Sequence, residues 1–200
     1  MIKMKFRHVK PDISYKAKAI DFVEEFKKNN SKIHGGGKIA KYLENSTYEE
    51  WLEYLKQQKQ KKLDGISVPD ETYFLVDEDD NIVGIINIRL GLNDMLRDLG
   101  GHIGYSIRPS QRGKGFNKIN LYLGLKRLHE IDEKEALLDC EIDNKASSGT
   151  MKALGGKLVN TKNTEKYGIV EDYIINIEEA LEKYKDIYEP YIFDDTKKYK

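Results

Sequence analysis

The sequence has one cysteine, Cys140, in 200 residues. That excludes an internal disulfide framework and a cysteine-rich zinc site. No run approaches the ~20 uncharged apolar residues of a transmembrane helix. The opening residues Met1 to Arg7 hold no apolar signal core. The expectation is therefore no membrane attachment and a reducing, cytoplasmic setting. Charge of one sign is also missing in excess. Lys and Arg number 34, Asp and Glu number 34, and each half of the chain balances as well. Binding to nucleic acid ordinarily draws on a basic excess that neutralises phosphates, so this balance argues against it. No His, Asp and Glu residues stand at metal-ligand spacing, so no metal is expected.

What is present suits a folded enzyme-sized domain. Apolar residues make up 39% of the chain, and 13 Tyr and 6 Phe supply bulk for a core. The reading is one domain over 1–188 and a loosely attached tail over 189–200. Strands and helices alternate, which implies an α/β fold. A first strand is expected over 3–9 and a helix over 12–28, followed by a flexible glycine-rich loop over 31–37. Ser46 and Glu49 fit a capping box ahead of an apolar stripe through Tyr48, Trp51, Leu52 and Leu55. Residues 72–76 and 82–90 read as a hairpin, and 102–108 as a further strand. A buried helix over 116–131, a strand over 136–142 and a short helix over 144–154 come next. Late strands over 157–160 and 168–177 and a helix over 178–188 complete the pattern.

The chemistry gathers in the segment Ile107-Arg108-Pro109-Ser110-Gln111-Arg112-Gly113-Lys114-Gly115-Phe116. A strand runs into a glycine-rich loop that opens a long helix. Two glycines let backbone amides approach an anion without interference from Cβ. The helix N-terminus adds unpaired N–H groups and the positive end of a dipole, and Arg112 and Lys114 add charge. Such a loop cradles a phosphate or pyrophosphate. It is not a Walker loop, because Phe116 stands where Lys is required, and Lys118 breaks the dinucleotide fingerprint.

The wording Gln111-Arg112-Gly113-Lys114-Gly115-Phe116 resembles the acetyl-CoA signature of the GCN5-related N-acetyltransferase family. The order of elements around it resembles that family too. A strand precedes the loop and a helix follows. A short strand, Asn144, a short helix and a Gly155-Gly156 stop come after. The resemblance implies a mixed, mostly antiparallel sheet flanked by helices, with a splayed strand pair for acetyl-CoA. The strand before Gln111 and the strand starting near Leu137 are expected to run parallel, because the helix over 116–131 connects them as a crossover. The resemblance implies direct acetyl transfer from acetyl-CoA to a primary amine, on a small molecule or a protein, without a metal. Amides from Gln111, Arg112, Gly113, Lys114, Gly115 and Phe116 would hold the pyrophosphate. Backbone groups of Ile107, Arg108 and Pro109 would pair with the pantetheine arm, and an N–H near Ile107 would polarise the thioester. Asn144 and Ser147 would contact the cofactor arm.

The sequence departs from the family at Met151, where many members carry a proton-donating Tyr. Ser147, Tyr105 or water could replace it. Glu141 and His102 are the candidate bases. Loss of the Tyr leaves a second reading open, a non-catalytic acyl-CoA-binding module. Whether the chain is a monomer or a homodimer is not encoded in these motifs. Asn144 also suits a plain helix cap, and Cys140, flanked by Asp139 and Glu141, reads as an inert strand thiol.

Overall fold

The structure, a computed structural model, describes residues 4–193. Strand β1 spans Arg7–Val9, and a 3-10 turn over Ile13–Tyr15 leads into helix α1, Lys16–Lys28. Ala19, Phe22, Val23 and Phe26 recur at helical spacing and are buried together. Two short helices follow, α2 over Ile39–Asn45 and α3 over Tyr48–Lys59. The capping box lies one residue later than Ser46 and Glu49: Thr47 and Glu50 form it. That register is the one that buries Tyr48 and Trp51. Strands β2, Asp70–Val76, and β3, Ile82–Arg89, form the expected hairpin. A short helix α4, Asp94–Asp98, interrupts the connection to strand β4, Ile103–Ile107.

Helix α5, Phe116–His129, is apolar on most sides because it is buried between elements. Its Gly124 lies against Ile86, where a Cβ would approach that side chain to 2.8 Å. Strand β5, Glu135–Glu141, helix α6, Lys145–Ala153, and the hairpin of β6, Lys157–Thr164, and β7, Gly168–Asn176, complete the middle of the chain. Helices α7, Ile177–Lys183, and α8, Lys185–Tyr188, close it.

The architecture is the expected α/β type, antiparallel sheets flanked by helices. The expectation of one continuous sheet with β4 and β5 paired in parallel needs correction. Strands β1-β2-β3-β4 form one antiparallel sheet and β5-β7-β6 another. The two meet where His102 N–H donates to Leu137 C=O at 2.7 Å. Beyond that bond β4 and β5 diverge, still running in the same direction, with Tyr105 alongside Cys140. Side-chain packing does not stop at the split. A single cluster holds Ile86 and Ile103 of the first sheet with Leu138, Tyr173 and Ile175 of the second, around Leu121 and Leu125 of α5. A second cluster packs α1 and α3 on the opposite face of the first sheet.

The tail expected to be loose over 189–200 is attached in its described part. Phe6 N–H donates to Tyr191 C=O, Phe193 N–H donates to Phe6 C=O, and Glu189 pairs with Lys126 at 2.7 Å. Residues 194–200 lie outside the described residues.

One buried ion pair sets an acid limit on stability. Glu71 is almost wholly buried and takes Arg127 Nε at 2.7 Å, Lys59 Nζ at 2.8 Å and the Tyr73 hydroxyl at 2.7 Å. Burial pushes its carboxyl up, but Arg127, Lys59 and Tyr73 outweigh that and bring it to about 2, from an ordinary 4.5. The stability it contributes is complete above about pH 4.5 and is lost as the pH falls toward 2. Glu71→Gln should cost roughly 3 kcal/mol at pH 7 and flatten the acid limb of a plot of Tm against pH.

Candidate acetyl-CoA and acceptor site

Residues after β4 shape a loop whose first amides are spent and whose later ones are not. Gln111 N–H and Arg112 N–H fold back onto Arg108 C=O and Pro109 C=O at 2.9 and 3.3 Å. Gly113 and Gly115 then take φ of 76° and 82°, a region that glycine enters without strain. Gly115 caps α5 with no side-chain bond to the first turn. Among the described residues, the N–H groups from Gly113 to Asn117 meet no protein acceptor; the next, Lys118 N–H, returns to Gly115 C=O. Nothing lies within 4 Å of a Cβ built at Gly113 or Gly115. Five consecutive donors thus lack a protein acceptor at the positive end of a 14-residue helix, which suits a pyrophosphate. Lys114 Nζ is exposed and held by Gln111 Oε1 at 2.9 Å.

The loop is braced from α1, which sequence reading missed. Glu25 takes Ser110 N–H on one oxygen at 2.7 Å and Arg108 Nε on the other, and Asp21 takes the far end of the same guanidinium. Burial raises the Glu25 carboxyl, but its bonds to Ser110 and Arg108 more than reverse this, so it stays ionised. Arg112 lies over the Phe26 ring at 5.3 Å and donates to Ser31 Oγ at 2.7 Å.

The split between the sheets supplies a second set of free backbone groups. Arg108 N–H donates to Val83 C=O. Antiparallel alternation then turns the N–H groups of Ile103, Tyr105 and Ile107 to the other edge, toward β5. Among the three residues expected to pair with pantetheine, only Ile107 keeps its N–H available. Arg108 spends its own on β3, and Pro109 has none. Ile107 C=O accepts from Arg112 Nε at 3.1 Å.

The two faces of this split differ. On the α5 side, the Tyr105 hydroxyl reaches Ser147 Oγ on α6 at 2.9 Å. Burial raises the Tyr105 phenol well above its ordinary value, so it holds its proton. Asn144 caps α6 by accepting Ser147 N–H at 3.1 Å. Met151 is fully buried in the core. It donates no proton, and Met151→Leu should leave turnover within a few-fold in a thiol-release assay. On the α1 side, Glu141 lies exposed at the end of β5 and borders a cleft of about 410 Å³ with Phe26, Ser31, His34 and Lys166. His102 is placed elsewhere, at the junction of the sheets. Its Nδ1 accepts Leu137 N–H at 3.0 Å, and burial, helped by Arg97 and Arg89, lowers it to about 4. A neutral ring with that lone pair engaged carries its hydrogen on the other nitrogen and has no site left for a second proton at neutral pH. Cys140 is buried, and burial raises its thiol to about 11, consistent with an inert residue.

The loop between β4 and α5 was readable because it is contiguous. The α1 residues that brace it lie more than 80 positions away and carry no local signal. The glycine run read as flexible did carry one. A Cβ at Gly35 would come within 1.9 Å of Gly104 C=O, so this glycine allows the loop to lie directly on β4. His34 N–H bonds Ser106 Oγ there at 2.8 Å.

A sheet opened between two parallel-running strands, with a helix-start anion cradle at the head of one, defines a class of acyl-CoA-dependent transferases. Residues 38–155 match the family model for the acetyltransferase (GNAT) family. The chain belongs to that family and is an acyltransferase. No curated protein matches it by sequence. Among solved structures it is similar to Mycobacterium smegmatis RimJ in complex with CoA-disulfide, at 13% identity and TM-score 0.66, covering 92% of each chain. It is also similar to the microcin C7 self-immunity acetyltransferase MccE in complex with acetyl-CoA and AMP, at 15% identity and TM-score 0.60, covering 86% of this chain and 92% of that one. A mutant form of the spermidine N-acetyltransferase SpeG from Vibrio cholerae shares 15% identity at TM-score 0.59, covering 90% of this chain and 98% of that one. At these identities the likeness is one of fold. Among the described residues, no group of His, Cys, Asp and Glu could hold a metal, and no helix is long and apolar enough to cross a membrane.

Proposed function

We propose that the protein is an acetyl-CoA-dependent N-acetyltransferase that acts on a primary amine. The observation that carries this reading is the unbroken run of free N–H groups from Gly113 to Asn117 beside the open edge of β4. The N–H groups of Gly113, Lys114, Gly115 and Phe116 would bind the pyrophosphate, and Asn144 and Ser147 the cofactor arm; those of Gln111 and Arg112, expected to join them, are spent on Arg108 C=O and Pro109 C=O. Acetyl-CoA supplies an acetyl group already activated as a thioester. Ile107 N–H, held on the open strand edge, donates to the carbonyl oxygen where negative charge develops. Glu141, exposed on the acceptor face, takes the proton that the attacking ammonium must lose. The amine nitrogen bonds to the acetyl carbon as the C–S bond breaks and its electron pair leaves on sulfur. Tyr105, which keeps its proton on the opposite face and is steadied by Ser147, would offer that sulfur a hydrogen bond as it leaves as the thiolate. A thiolate with an ordinary pKa near 8.5 is already a fair leaving group, so little acid assistance is needed. The setting proposed is the cytoplasm.

The test pairs calorimetric binding of acetyl-CoA with thiol release across a panel of primary amines. Amine-dependent release with an acetylated product supports the proposal. Tight acetyl-CoA binding with no release over the whole panel would overturn it in favour of a binding module.

A further inference from the structure

The charges around the acceptor cleft narrow the substrate class, an inference that rests on the transferase reading above. The cleft lies on the α1 side of the split, across from α5 and α6. Its wall is apolar at Val23, Phe26 and Ile33. Its charged groups are Lys27, Lys32 and Lys166 against one carboxylate, Glu141. Lys27 is paired with Glu24 at 3.0 Å and contributes little net charge. Among the described residues, Lys32 meets no acceptor and the Lys166 ammonium, which rests over the Tyr167 ring at 4.8 Å, has no counter-ion. Behind the same wall, Arg112 lies on Phe26 and Ser31. The cleft thus offers two uncompensated cations and a single acid.

An acceptor must present one amine to Glu141, and whatever else it carries must lie near the lysines. A polyamine brings further ammonium groups, which would face Lys32 and Lys166 with no second carboxylate to receive them. A carboxylate on the acceptor would instead meet both. Cations beside the reacting ammonium also favour its neutral form, which is the nucleophile.

We infer that the acceptor is an amine bearing a carboxylate a few bonds away, an amino acid or a short peptide, with Lys32 and Lys166 binding the carboxylate. The reaction is the one already written: the amine nitrogen gains the acetyl group, its proton passes to Glu141, and the carboxylate is unchanged.

The experiment uses matched amines: β-alanine against β-alaninamide, glycyl-leucine against glycyl-leucinamide, and spermidine beside them. Thiol release should give kcat/KM at least tenfold higher for the acid of each pair, a difference of about 1.4 kcal/mol, which shrinks as salt rises. Lys32→Glu combined with Lys166→Glu should invert the order, with acetyl-CoA binding as the control for folding. Should the double variant not fold, Lys32→Ala is read instead, and its KM should rise for the acids and not for the amides. Amides or spermidine acetylated as well as the acids overturns the inference. So does an order unchanged in the lysine variants, or no turnover of any pair by protein that binds acetyl-CoA. Failure to bind acetyl-CoA at all strikes the transferase reading itself.

Discussion

Gly115→Val should bind acetyl-CoA about a hundredfold or more weakly than the wild type, while Lys114→Ala should lose only a few-fold. Gly115 sits at φ 82°, where a β-branched residue is strained. Among the described residues, no atom lies within 4 Å of the Cβ it would gain. The cost therefore falls on the ligand, because the new side chain occupies the approach to the free amides, and the strain re-aims them. Losing two backbone bonds to a charged group, at roughly 1.5–3 kcal/mol each, accounts for a hundredfold or more. Lys114 offers an exposed charge, worth about 1 kcal/mol or less. Calorimetric titration measures both, with circular dichroism to show that each variant is folded. A folded Gly115 variant with wild-type affinity would remove this loop from the pyrophosphate.

Gly101→Ala should be among the most destabilising single changes outside the core. Gly101 has φ 57°, and a Cβ there would lie 2.3 Å from Leu137 O, the atom that receives His102 N–H. No flexible side chain is available to yield, so backbone must move and the bond between the sheets is lost. With the strain of a left-handed alanine added, the expected cost is about 2–4 kcal/mol. In a chain of this size that lowers Tm by roughly 5–15 °C. Thermal unfolding measures the loss, and a Tm within a degree or two of wild type would show that the junction tolerates displacement.

Residues 107–116 and the helices and strands after them were legible because their signals are local. The glycines, the helix start and the apolar run of α5 all lie within one stretch of chain. Glu25 and Asp21 were not legible, since nothing in α1 marks one acidic residue on an exposed face as the partner of Arg108. Two hydroxyl residues, Ser46 and Thr47, each precede a Glu by three positions, so local chemistry alone allows either capping box. Burial of Tyr48 and Trp51 decides for Thr47. The triple glycine was misread for a related reason. Freedom of the backbone and closeness of approach call for the same residue, and only the neighbouring Gly104 distinguishes them. His102 was a candidate base because its strand was expected to border the cleft, yet its ring is spent on holding Leu137. Short helices α2 and α4 carry too few residues for a period to show.

The way β4 is bonded leaves a mark that deuterium can read. Arg108 N–H is locked onto β3, and by the same alternation so are the amides of Ser106 and Gly104, whereas those of Ile103, Tyr105 and Ile107 look into the gap. Neighbouring amides on a single strand therefore differ in protection by turns, slow and fast, although all of them lie beside the same packed core. A ligand arm lying along β4 would slow the fast set alone, so the exchange pattern of these six residues reports both that the gap is filled and which strand edge the occupant lies against.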